Sequence, residues 1–147
     1  MAGLPFRITA EGVSLSAATT KTVISVTAAA NNPLRLVRWG ITFKGTSTTA
    51  APGRVRLKRM TTAGTSTSVT PVKTDDRISG TLQATAFKDF SAEGTLGDVL
   101  EPVNVHPQTG YVSGVYDSVA VAGSSRLGLD CNFADAVTCD AWMEFEE

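Results

Sequence analysis

The clearest pattern in the chain is a period of two. From Leu34 to Gly45 it reads LRLVRWGITFKG, which places Val37, Trp39, Ile41 and Phe43 on one face and Arg38, Gly40, Thr42 and Lys44 on the other. RVRLKRM repeats the motif, with Val55 and Leu57 inward and Arg54, Arg56 and Lys58 in an outward row. TVISV (22–26), FKDFS, DVLEPVNVHP, GYVSGVY, SVAVA, RLGLDCNF and VTCDAWMEF read as further short strands. Asn31-Asn32-Pro33 and the glycines at 94, 97, 110 and 123 mark turns between them. About eight to ten strands at spacings near ten residues predict an all-β fold, an antiparallel β-sandwich of jelly-roll type.

Other stretches carry weaker patterns. TSTTAAPG and TTAGTSTS are expected loops, and Asp75–Ala86 is a loop or one short helix. The first twenty residues are read as a short extended N-terminal arm, leaving 21–147 as the β-sandwich domain. At the other end, a turn centred on Asp135 predicts a hairpin with Cys131 opposite Cys139, Phe133 opposite Val137 and Leu129 opposite Ala141. Leu127, Leu129, Cys131, Phe133, Val137, Cys139, Ala141, Met143 and Phe145 then line the core, and Asp130, Asn132, Thr138, Asp140 and Glu144 the opposite face. Trp142 alternates outward with them.

Composition supports this picture without changing it. The 147 residues suit one domain with its own core, 42% of them hydrophobic and 18% charged. Thr, Ser, Ala, Val and Gly dominate, and branched Thr and Val suit strands better than helices. A net charge of −1 gives no overall attraction to nucleic acid or an anionic membrane, so neither is an expected partner. No stretch has the apolar length of a signal peptide or a membrane span.

The candidate chemistry is thin. The single histidine, His106, precedes a proline at a strand exit and reads as a turn residue; no nucleophile elbow accompanies it. Asp75-Asp76 reads as a solvated turn without a calcium-loop ladder, and Glu93, Asp98 and Glu101 are unsupported as paired glycosidase carboxylates. No phosphate-binding glycine loop is present. No enzyme, metal or cofactor is expected. Cys131 and Cys139 are compatible with reduced core thiols, a cross-strand disulfide or a reactive pair. The basic run from Arg54 to Lys58 is either a solvated strand face or a docking row for an acidic partner, arginine pairing bidentately with carboxylates.

Several stretches in order, RWGITFKGTS, TTAGTS, TPVK, LEPVNVHPQTG, SSRLGLDC and AWMEFEE, resemble small structural proteins of tailed bacteriophages, over about Leu34 to Glu147. The resemblance implies a non-enzymatic capsid decoration (cement) protein. It would be assembled in the bacterial cytoplasm and bound as a homotrimer to the major capsid protein on the capsid exterior. Leu4, Phe6 and Arg7 near the tip of the arm, with Arg54, Arg56 and Lys58, are the candidate partner-binding residues. A phage tail or receptor-binding module that recognises carbohydrate is the alternative.

Overall fold

A computed structural model describes residues 3–44 and 51–147. Twelve strands are described: β1 (Pro5–Leu15), β2 (Lys21–Thr27), β3 (Leu34–Lys44), β4 (Gly53–Met60), β5 (Thr65–Val69), β6 (Val72–Lys73), β7 (Thr85–Ala92), β8 (Leu96–Val105), β9 (Tyr111–Val112), β10 (Ala120–Val121), β11 (Arg126–Asn132) and β12 (Val137–Glu146). They form two antiparallel sheets packed as a sandwich. Sheet A runs β10-β3-β12-β1-β6, with β9 beside β10 on the free edge of β3; sheet B runs β5-β7-β2-β11-β4-β8. Most of the expected TSTTAAPG loop lies outside the described residues. Asp75–Ala86 holds turns and no helix, and Thr65–Ser68, expected as loop, forms most of strand β5, which pairs with β7.

The core between the sheets is built by the period-two pattern. Trp39, Ile41, Val55, Leu57, Leu127, Leu129, Met143 and Phe145 are all buried there, and Phe43 packs against it. Val37 departs from the expected face. A bulge lets Arg38 pair with Glu144 but Leu36 with Phe145, so Val37 is the extra residue and Leu34 and Leu36 continue the core side.

The N-terminal arm is corrected. Pro5–Leu15 is an inner strand of sheet A, paired with β12 on one side and β6 on the other, and Phe6 is fully buried. Buried positions run 6, 8, 10, then 13, 15. The slip is a β-bulge in which Glu11 and Gly12 together oppose Asp140. Gly12 takes a left-handed φ of 64° and donates its N–H to Asp140 at 2.7 Å. That single insertion breaks the alternation, so the segment reads as irregular. Leu4 continues the ladder through reciprocal backbone bonds with Glu147 of 2.8 and 3.1 Å.

The final hairpin is corrected as well. β11 pairs with β2 and β4 in sheet B, whereas β12 pairs with β1 and β3 in sheet A, so Phe133–Ala136 arches from one sheet to the other. Alternation fixes which face a side chain takes, not which strand it pairs with. All nine expected core residues are therefore still buried, Cys131 and Cys139 among them as free thiols. The two thiols meet across the core. Burial first, then a hydrogen bond with Cys139, pushes the Cys131 thiol well up.

Candidate functional site

The outer face of sheet A is assembled by strand register. One row crosses four strands, Val72 (β6), Arg7 (β1), Glu144 (β12) and Arg38 (β3); the next crosses Thr9, Trp142, Gly40 and Val112 (β9). Glu144 accepts from Arg38 Nε at 2.5 Å on one oxygen and from Arg7 Nη2 on the other. The guanidinium carbons of Arg7 and Arg38 lie 4.6 and 5.6 Å from the centroid of the Trp142 ring. The indole can lie there because its neighbour is a glycine: a Cβ on Gly40 would stand 2.6 Å from two ring carbons. Val72 and Val112 flank the cluster, 62% and 58% exposed.

Electrostatics follow from these contacts. Burial pushes the Glu144 carboxyl up, and the hydrogen bonds from Arg38 and Arg7 more than reverse this, leaving it below the usual carboxylate range. The same bond to Glu144 raises Arg38. Among the described residues, Arg7 Nε is buried with no hydrogen-bond partner and Arg38 donates only through Nε. Two cations thus share one carboxylate.

The outer face of sheet B carries the expected basic row, in a different state. Arg56 donates to both oxygens of Asp130, at 2.9 and 2.6 Å, and Lys58 lies 3.1 Å from Asp130 and 3.5 Å from Glu93. Lys58 and Asp130 are almost wholly inaccessible, at 2% and 0%. Glu93 also receives the backbone N–H of Thr22 at 2.7 Å and its hydroxyl. Arg54 donates to the Thr20 hydroxyl at 3.3 Å. The row does share one face, as the alternation requires. Its outward, available character is corrected for Arg56 and Lys58, whose charges are met inside the chain.

The cover over this face is made by two connections. The chain from β4 to β5 and the chain from β7 to β8 both pass from one side of the β2–β11 pair to the other. They bind each other where they cross: Thr61 donates to Thr95 O at 2.9 Å, and Thr95 N to the Thr62 hydroxyl at 2.7 Å. Gly64 and Gly94 permit the contact, since a Cβ on Gly64 would stand 2.5 Å from Ala92 O at the end of β7 and one on Gly94 2.3 Å from Thr62 O.

A third cluster closes one margin of the sandwich. Trp39 Nε1 donates to the Tyr116 hydroxyl at 2.9 Å, Tyr116 donates to Glu101, and Tyr111 reaches Glu101 at 3.3 Å while its ring packs 5.1 Å from Trp39. Glu101 belongs to β8 and Trp39 to β3, so the tyrosines join the two sheets. Burial, then the Glu101 charge, raises the Tyr111 hydroxyl.

The remaining candidates are local. His106 Nδ1 accepts from Gln108 N at 3.2 Å in a turn, and Asp75 is held by Arg77, which lowers its carboxyl. Among the described residues no three His, Cys, Asp or Glu side chains are grouped to hold a metal, and no helix is long and apolar enough to cross a membrane. Of the six candidate partner-binding residues, Arg7 alone joins the open cluster on sheet A. Phe6 is core, and Leu4 lies half-buried beside Glu147. Alternation places Glu144 and Arg38 on outer faces but carries no sign that they meet, because their pairing depends on β12 lying beside β3, with β1 on its other side. Comparison with family models, with curated proteins and with solved structures returns no match for this chain.

Proposed function

We propose that the protein is a non-enzymatic virion component, a capsid decoration (cement) protein that docks as a homotrimer on the major capsid protein of a tailed-phage head and stabilises it. The observation that carries a docking role is the asymmetry of the two outer faces. One is sealed by crossing connections over a satisfied ionic cluster; the other leaves Trp142, two arginines and two exposed valines on an open sheet. The phage assignment rests on the sequence resemblance. Strand orders of β1-β12-β3-β9 in one sheet and β2-β11-β4-β8 in the other support the jelly-roll reading. Linked copies on a local three-fold site would bind far more tightly than one.

The test is heat-induced DNA release from heads lacking the protein, with and without purified protein added back. Release at a higher temperature after addition supports the role. A monomer that fails to bind heads and leaves release unchanged refutes it. A second reading, a glycan-binding tail or receptor module, would require the guanidiniums to leave the Trp142 ring, and glycan titration of Trp142 fluorescence tests it.

A further inference from the structure

We propose that the outer face of sheet A binds an extended acidic segment of another protein. Its carboxylates would meet Arg38 and Arg7, and its apolar side chains would rest on Val112 and Val72. The inference rests on the docking role above and names its face and the chemistry of the partner.

Charge complementarity selects this occupant. Arg7 and Arg38 are satisfied by the single carboxylate of Glu144, so the cluster carries a local excess of one positive charge. Both guanidiniums are already held in place, by Glu144 and by the Trp142 ring, so little side-chain freedom is lost on binding. Arg38, 43% exposed, keeps both terminal nitrogens unbonded among the described residues, a fork suited to a carboxylate.

Competing ligands fit less well. The excess is local: Glu146 on β12 is met by Arg35, Asp140 adds a further negative charge on the same strand, and one net positive charge suits spaced carboxylates better than the dense charge of a polyphosphate chain. A sugar ring would have to displace the guanidiniums that stand over the indole. The spacing suits an extended chain. Arg38 and Arg7 lie on the two strands flanking β12, about 10 Å apart at two strand spacings, whereas same-side residues of an extended peptide repeat about every 7 Å. The long arginine arms span the difference. Val72 and Val112 lie at the two margins of these rows.

The test uses fluorescence anisotropy of a labelled twelve-residue peptide alternating Glu with Val and Thr, and its analogue with Gln in place of Glu. The acidic peptide should bind, weaken at least fivefold between 50 and 500 mM salt, and weaken on the order of tenfold in Arg38→Gln and in Arg7→Gln. Arg38→Lys, which keeps the charge and loses the fork, should fall between. Arg77→Gln, in an exposed turn, should bind as the wild type does, and circular dichroism confirms that each variant is folded. Equal binding of the neutral analogue, unchanged binding by Arg38→Gln, or tighter binding of a twenty-residue oligothymidine would each overturn the proposal. Binding to heads separates it from the capsid role. Heads that bind wild type and Arg38→Gln equally retain that role and refute this face. Heads that bind neither, with peptide binding still dependent on Arg38, retain the face and refute the role.

Discussion

The two outer faces of the sandwich are built from the same parts and end in opposite states. Each places a carboxylate on a central strand between cations: Asp130 on β11 with Arg56 and Lys58 of β4, and Glu144 on β12 with Arg7 and Arg38. Strand register alone assembles both. What separates them is the cover. Over sheet B two connections cross, Glu93 descends from one of them, and the ions lose their water. Over the centre of sheet A no described connection crosses, and the arginines stay 38% and 43% exposed. Charge on a strand face is therefore a structural element or an available contact according to loops remote from it in sequence.

The largest expected effect lies on the covered face. Asp130→Ala would leave Arg56 and Lys58 without their shared buried partner, and removing one member of such a set costs about 3–5 kcal/mol. Adding Lys58→Met should restore part of the loss, since apolar groups of similar volume often replace buried ions without penalty. Glu144→Gln on the open face should cost about 1 kcal/mol or less. Urea unfolding of the four proteins measures the contrast. Equal costs for Asp130→Ala and Glu144→Gln would remove the distinction between the faces.

The tryptophans offer a second contrast of similar form. Trp39 is fully buried and bonded to Tyr116, so Trp39→Ala should cost about 3–5 kcal/mol. Trp142 is half-buried on the open face, and its truncation should cost about 1 kcal/mol, mostly lost packing on Gly40 and lost contact with the guanidiniums. Emission spectra of the single-tryptophan variants check the placement. Trp39 should emit as a shielded indole and Trp142 at longer wavelength. A reversed order would put the register of β3 or β12 out by one residue.

How much of this was legible follows from what alternation can encode. It placed Trp39, Ile41 and Phe43 inward and gave every core residue of β11 and β12, because side-chain facing depends on neighbours one and two residues away. It failed at Gly12 and Val37, where a bulge adds a residue and resets the period. Strand partners were beyond its reach. Cys131 and Cys139 were placed in the core, yet their meeting runs across two sheets instead of along a hairpin. Arg54, Arg56 and Lys58 are legible as a row because they are close in sequence, whereas Arg38 and Trp142, which complete the cluster around the candidate Arg7, come to it from two other strands. A fully buried Asp130 three positions from the end of the RLGLDCNF run carried no local signal of its partner on β4.

The smallest effect sharpens the comparison from the open side and depends on pH. The arginines hold the Glu144 carboxyl below its ordinary range in the folded protein, so the unfolded chain binds its proton more readily than the native one does. Stability from this group is therefore fully present above the unfolded value, about 4.3, and is lost as pH falls through the lower folded value. Glu144→Gln cannot titrate. The difference in unfolding free energy between wild type and Glu144→Gln should stay constant from pH 7 to about 5, then shrink steadily below about pH 4. Asp75, also held low by Arg77, contributes equally to both proteins and cancels in the difference. Salt should reduce the plateau, because both arginines are partly exposed to solvent. A difference that stays flat down to pH 2, or one that widens on acidification, would mean that Arg7 and Arg38 do not hold Glu144 as an ion. The open cluster would then lose the carboxylate that keeps its arginines in position.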